Sequence, residues 1–546
     1  MDTIFESNFI TMSRSQPRAT HIAVRDGRIL AVGGKKDIAA WQKAWGEMPI
    51  NQDFAKQFIC PGFIEGHSHL MEGLLWDYTY VGFYDRMGPD GIIHKGLKTI
   101  DEVLERLREA QKNVADKSAP VIAWGLDPIY FDRRMMAEDL DSVSDACPII
   151  VLHASLHILN TNSMLIEKSG AEASNNPDIL RRDAQGRITG EFLGQIGMFM
   201  AMRVAGVNLF GDSVAPQALS NFANVAKRAG VTTATDLANS LKDEEIVALK
   251  EMTQDPDYPL RLVIALHGNP LSAEDTVARM QEVQPQSTDK LRMSLIKLVA
   301  DGSIQGFTAR VAWPGYFNGA ENGLWYIEPA ILEEKLIAFT KAGLQTHIHT
   351  NGDETIEAAL NAIENALRIA PWRDHRHTLQ HCQMANRAHY KRMSQLGVGV
   401  NLFSNHIYYW GDAHINITMG SERAARIDDA GGALAENVPL AMHSDAPITA
   451  LAPLFTAWCA VERKTSGGET LGGEAEAISP QEALEAITLG AAYSLKLDKE
   501  LGSLEVGKWA DFAILDKDPL AIAPAKIKDV KVLGTALAGK LFLNEK

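Results

Sequence analysis

LQTHIHTNGDETIEAALNAIENALRIAPWRDHRHTLQHC, residues 344–382, places two short apolar-rich runs (344–350 and 377–382) around a helical pattern over Thr355–Ile369. Strand, helix, strand in that order is the signature of βα units feeding a parallel sheet. The alternation extends in both directions. FICPGFIEGHSH (58–69), GVTTATD (230–236), LRLVIALH (260–267) and SLIKLVADG (294–302) precede this stretch; GVGVNLF (397–403) and VPLAMHSD (438–445) follow it. A second helical pattern covers Pro329–Ala342. Eight strands with helices between them match a (β/α)₈ TIM barrel in the α/β class. About 160 residues separate the first strand from the second, whereas one crossover helix needs only about a dozen, so an insertion at roughly 70–220 is expected.

Both chain ends read as β. In THIAVRDGRILAVG (20–33), Asp26-Gly27 lies between two apolar-rich runs, a strong hairpin signal. ADFAILD (510–516) and DVKVLGTALAGKLFLN (529–544) continue the pattern. The expected organisation is a small β-sandwich formed by 1–57 and 496–546 around a barrel spanning 58–495.

The 546 residues carry a formal net charge of -16, which disfavours nucleic acid and anionic membranes as partners. No run of 18 apolar residues predicts a membrane span, and no basic-then-apolar N-terminal leader is evident. Cys60, Cys147, Cys382 and Cys459 are scattered, without a CxxC pair, which favours a reducing compartment, and the cytoplasm is the expected location. A homo-oligomer is compatible with all of this.

Ligand-type residues fall at the ends of the expected strands. His67 and His69 form an HxH pair, and alternation on a strand turns both imidazoles one way. Lys297 interrupts an apolar strand, His349 ends the fifth, His381 the sixth and Asp445 the eighth. Singly, each has an ordinary reading: a hydrogen-bonded core histidine, a paired lysine, an N-cap or Asx-turn aspartate. Together, at the catalytic ends of barrel strands, they point to a metal centre.

The phrases PGFIEGHSH, KLVADGS, HIHTNGD, LQHCQ and HSDAPI resemble the amidohydrolase superfamily, and within it amidohydrolase family 3, the YtcJ-like branch that includes N-substituted formamide deformylase. RDGRILAVGG and LGSLEVGKWADFAILDKDP are similar to that family's β-sandwich segments, and 478–495 to its closing helical segment. The resemblance implies that His67, His69 and Asp445 bind one divalent ion and that His349 and His381 bind a second. It implies Lys297 bridging the two as a CO₂-derived carbamate, with Zn²⁺ the metal such ligands suit. His157 matches a family histidine near the active site, and Trp124 an aromatic of the family pattern; both are candidate substrate-binding residues. A satisfied histidine and a core tryptophan are their ordinary readings. His347 shares a face with His349 and is read as supporting the site or the fold. Two phrases depart from the family's wording: HAIGDR is HTNGDE (349–354), and RIEH is TLQH (378–381), with Gln380 in place of a carboxylate.

The implied chemistry is hydrolysis of a C–N bond, most simply an amide outside ordinary peptides, in a small-molecule substrate. Hydroxide generated at the metals attacks the carbonyl, and Asp445 carries the proton to the leaving nitrogen. Three alternatives remain open: a mononuclear deaminase, against which Lys297 argues; an ester or lactone hydrolase using the same site; and a non-catalytic binding protein on the same fold.

Overall fold

The structure, a computed structural model, describes residues 2–173 and 179–545. Among these, eight parallel strands form one sheet: β1 (Phe63–Glu65), β2 (Val231–Asn239), β3 (Arg261–His267), β4 (Leu291–Val299), β5 (Gln345–Thr350), β6 (Thr378–His381), β7 (Gly399–Leu402) and β8 (Leu440–Met442). Each pairs with its neighbours in chain order from β1 to β8. The helices expected between β4, β5 and β6 are Pro329–Lys341 and Asp353–Ile369. Ile64, Val263, Leu295 and Ala441, from four barrel strands, are buried in one apolar cluster.

The stretch 58–69, expected as a single strand, is two. Phe58–Pro61 pairs antiparallel with Phe512–Leu515 in the terminal sheet, and Phe63–Glu65 is β1 of the barrel. Gly62 makes the step between them: a Cβ there would lie 2.0 Å from Thr232 Oγ1, a separation only a glycine avoids.

The two chain ends meet in one eight-stranded sheet, with the order 540–543, 532–537, 512–515, 58–61, 3–10, 18–25, 28–33 and Ile50–Asn51 paired with 3–10. The Asp26-Gly27 hairpin is present, both residues having positive φ (50° and 76°) as a two-residue turn of this twist requires. This sheet is tied to the barrel by a buried ion pair. Arg261 of β3 donates from Nε to Asp511 Oδ2 (2.7 Å) and from Nη2 to Oδ1 (3.1 Å). Trp509 lies between the guanidinium groups of Arg28 (3.9 Å) and Arg261 (4.5 Å).

Leu70–Val225, with Pro447–Ala450, forms a second compact unit. Its six-stranded sheet runs 180–182, 188–193, 158–161, 149–153, 121–126, 79–80. Arg86 and Glu72 form a buried pair inside it (2.5 Å). Among the described residues no helix is long and apolar enough to cross a membrane.

Removing Asp511 strands a buried guanidinium, which typically destabilises by about 3–5 kcal/mol. Asp511→Ala should therefore lower the urea midpoint of the purified protein markedly. An unchanged midpoint would show that the ion pair contributes nothing to holding barrel and terminal sheet together.

Candidate metal centre

Three residues each make up β1 and β8, too few for a ladder, and the barrel is closed instead by the segments just beyond them. Asp445 N donates to His67 O (3.1 Å), and His69 N donates to Ala446 O (2.8 Å), flanking the Ser68–Ala446 bridge. Below that bridge the buried carboxylate of Glu65 accepts from Ser444 N and Ser444 Oγ, both at 2.9 Å. Ser68 is also fixed to β2: its N donates to Thr235 Oγ1 (2.9 Å), its Oγ donates to Thr235 O (2.7 Å), and its carbonyl accepts from Leu237 N (3.2 Å). His67 and His69 thus lie past the end of β1 and not on a regular strand. They converge because Ser68 between them is pinned on both sides.

The convergence is tight. Asp445 Oδ1 lies 3.4 Å from His67 Nε2 and 3.4 Å from His69 Nε2. Lys297 Nζ, on β4, is 3.2 Å from His67 Nε2. Asp445 Oδ2 is 3.9 Å from His381 Nδ1, and the His349 and His381 rings are 4.4 Å apart. The structure therefore brings together all six residues expected as ligands: His67, His69, Lys297, His349, His381 and Asp445.

Each imidazole is oriented from behind. His67 Nδ1 meets Gln380 Oε1 (2.9 Å), His69 Nδ1 faces Asp236 Oδ1 (3.6 Å), and His349 Nδ1 meets Asp301 Oδ1 (3.1 Å). Asp301, in the KLVADGS phrase, also accepts from the N–H groups of Arg310, Asn351 and Gly352 and from Thr355 Oγ1. One carboxylate thereby sets the loops after β4 and β5 as well as the His349 ring. His381 and Asp445 both have positive φ (67° and 53°), a left-handed conformation unusual for residues with a Cβ and of the kind that clusters at functional sites.

Sequence reasoning missed His443. Its Nε2 lies 3.2 Å from His381 Nδ1 and its ring stacks on His67 at 4.6 Å. The HSD spacing of 443–445 was the available signal. Trp124 and His157 belong to the second unit. Trp124 is 1% exposed there, edge-on to Trp76 (5.2 Å) and Tyr80 (5.0 Å), with the Arg86 guanidinium 4.8 Å from its ring. His157 is half-buried and its carbonyl accepts from Gly194 N (2.9 Å).

Burial dominates the electrostatics. It pushes His67 and His381 well below the ordinary imidazole range, with Lys297 adding to the effect at His67 and His349 at His381. Burial also lowers Lys297 to about 7, against the pull of Asp445. At His69 burial opposes the charge, but Asp236 and Asp445 outweigh it and lift the ring to about 9.

The donor set fits a divalent ion. The ligating atoms of His67, His69 and Asp445 lie within 4.8 Å of one another, as do those of His67, His381 and His443. Two ligands at Zn²⁺ distances in a tetrahedral site are about 3.4 Å apart, the spacing from Asp445 Oδ1 to both histidines. Asp445 Oδ1 and His381 Nε2 are buried without a hydrogen-bond partner, which is costly unless something else meets them.

The model of the amidohydrolase family matches residues 56–542. The chain belongs to the amidohydrolase family. It is a metal-dependent hydrolase of that superfamily, in the enzyme class acting on carbon–nitrogen bonds. This amidohydrolase is 26% identical to the protein LONG AFTER FAR-RED 3 of Arabidopsis thaliana, over 98% of this chain and 90% of that one. It is 25% identical to N-substituted formamide deformylase of Arthrobacter pascens, over 98% and 97%. The fold is shared with an uncharacterized metal-dependent hydrolase from Pyrococcus horikoshii (TM-score 0.72, 18% identity, 96% of this chain and 99% of that one).

Burial raises the Glu65 carboxyl from 4.5 to about 8, with Ser444 and the His67 backbone opposing. The folded protein then holds a proton that the unfolded chain releases, so this group's stabilisation is complete below pH 4.5 and lost as pH rises through 8. In metal-free protein the stability difference between wild type and Glu65→Gln should fall across that window. A difference constant with pH would mean that Glu65 is already ionised in the fold.

Proposed function

We propose that this amidohydrolase cleaves a non-peptide C–N bond in an amide, N-acyl or N-formyl compound. The observation that carries the reading is the cluster of His67, His69 and Asp445 around one point, with a buried lysine amine 3.2 Å from His67 Nε2. The relative named N-substituted formamide deformylase makes N-substituted formamides the first compounds to try.

His67, His69 and Asp445 hold one divalent ion in this reading, and His349 and His381 the second, with Zn²⁺ suited to imidazole and carboxylate ligands. His443 competes with His349 for the second role, since it shares a donor cluster with His67 and His381. Bound ions of this kind supply Lewis acidity and lower the pKa of water towards about 7. Burial favours the neutral amine of Lys297, the form that attacks CO₂: an N–C bond forms, one C–O π bond opens, one proton leaves nitrogen, and the neutral amine becomes an anionic carbamate that would supply oxygen donors to the ions. Asp445 moves the proton of hydrolysis. The carbonyl carbon gains OH, the C–N bond breaks, and the proton taken up at the Asp445 carboxylate passes to the departing nitrogen.

The domain reading accompanies this proposal: a barrel over 58–495, terminal segments 1–57 and 496–546, and an insertion near 70–220. His157 is its candidate contact residue; Trp124, fully packed, would act by holding the shape of that unit.

Asp445→Asn keeps shape and one oxygen donor but loses the basic carboxylate. It should retain much of its metal and lose about 10²–10⁴-fold in kcat, with a smaller effect on substrate binding because the proton moves only in the transition state. Full metal with more than a tenth of wild-type kcat would assign the proton to another residue.

Wild-type protein should carry close to two divalent ions per chain by elemental analysis. Lys297→Ala should lose the bridge, part of the metal and most turnover, and a short carboxylic acid should restore some of each. Wild-type metal content and turnover in Lys297→Ala would remove the carbamate from the mechanism.

A further inference from the structure

Behind His67 runs a chain of buried polar groups that ends at a backbone carbonyl. Ser494, at the end of the helical turn Ala491–Ser494, presents its C=O to His347 Nε2 at 3.0 Å. His347 Nδ1 lies 2.8 Å from Gln380 Nε2. Gln380 Oε1 lies 2.9 Å from His67 Nδ1 and accepts from Asn401 Nδ2, also at 2.9 Å. His347, Gln380, Asn401 and His67 are all buried.

The donor and acceptor inventory orders this chain in one direction. A carbonyl oxygen only accepts, so His347 Nε2 must carry its hydrogen. The groups nearest the His347 ring nitrogens are the Ser494 carbonyl, the Gln380 carboxamide and, 3.4 Å from Nε2, the amide nitrogen of Gln345, which donates instead to Arg376 O and Ser494 O; none is a carboxylate. A buried cation there would be unpaired and costly, so the ring is neutral and Nδ1 is an acceptor. That acceptor needs the NH₂ of Gln380, which turns the amide so that its oxygen faces His67. An amide oxygen accepts, so His67 Nδ1 carries the hydrogen. The remaining atom, Nε2, is then a bare lone pair, and it is the atom facing Lys297 Nζ and Asp445 Oδ1.

We infer that His347 and Gln380 are positioning residues that fix the tautomer of His67, transmitting the polarity of the Ser494 carbonyl so that His67 presents an unprotonated Nε2 to the metal centre. Neither touches the reacting atoms. The inference rests on the reading of His67 as a metal ligand. It adds that this ligand is prepared before any ion arrives. Partners of this kind are typically worth 10–100-fold in metal affinity or activity.

The test is the ¹⁵N spectrum of the imidazole rings in metal-free protein, with His67 assigned by its absence in His67→Gln. Wild type should show His67 protonated at Nδ1. Gln380→Leu and His347→Leu should each lose that single state, giving Nε2–H or a mixture, and bind Zn²⁺ about 10–100-fold more weakly in a chelator competition. Gln380→Glu keeps an oxygen facing His67 and should retain the Nδ1–H state. Wild-type His67 protonated at Nε2 overturns the relay on its own, whether or not any variant folds. So does an unchanged Nδ1–H state in both leucine variants. A correct tautomer in a protein that fails to bind Zn²⁺ would instead remove the metal reading and leave the relay standing.

Discussion

The rest of this molecule depends on how the last barrel strand is joined to the first. A parallel sheet of eight strands that stopped at β8 would leave two rows of backbone groups open, one on each edge. Here β1 and β8 are too short to close that gap by a ladder. The work falls to the Glu65 carboxylate on Ser444 and to the two backbone bonds that flank the Ser68–Ala446 bridge. Those bonds join the HSH and HSD segments. The contacts that complete the fold are therefore the contacts that bring His67, His69 and Asp445 within reach of one ion. Barrel closure and site assembly are one event, and a chain that failed to close would have no site to lose.

That coupling explains which features were legible in the sequence. The eight strands could be read because short apolar runs alternate with helical patterns, a property each segment carries by itself. The convergence of His67, His69, Lys297, His349, His381 and Asp445 could be read because strand ends in a barrel meet irrespective of sequence distance. What could not be read depends on contacts between segments. The break at Gly62 follows from Thr232, 170 positions away, occupying the space a Cβ would need. Glu65 drew no reading in the sequence; its contact with Ser444 exists only once the HSD segment is beside it. His443 was passed over although it stands two positions before Asp445 and so shares its face by alternation. Alternation also gave the right outcome at His67 and His69 for an incomplete reason, since the pair lies beyond the regular strand and is aimed by the anchoring of Ser68.

The second determinant is the set of groups behind the ligands. Three imidazoles of the cluster meet three different partners: a carboxamide at His67, a carboxylate at some distance from His69, and at His349 a carboxylate already engaged by three backbone N–H groups and a hydroxyl. These partners differ in how much negative charge they lend the ring. A neutral amide orients His67 without adding to its basicity, whereas Asp236 and Asp445 draw a proton onto His69. An ion entering this cluster must displace the proton of His69 but finds His67 ready, so the two histidines of one HxH motif enter the site on unequal terms.

The same inequality bears on what kind of hydrolase this is. Five imidazoles, those of His67, His69, His349, His381 and His443, are packed around Lys297 and Asp445. A cluster so dense cannot be broadly protonated, because each added positive charge raises the cost of the next in a medium with little water. Burial and the neighbouring positive charges accordingly favour the neutral form of His67, His381 and His443, each with one N–H and one lone pair. Histidines in that state are poor general acids and good electron-pair donors. Burial lowers three of these rings, His67, His381 and His443, while Asp236 and Asp445 lift His69, and one carboxylate, Asp445, lies against both His67 and His69. The proposed division of labour is consistent with this: imidazoles as electron-pair donors to a cation, and Asp445, an anion beside them, as the proton carrier.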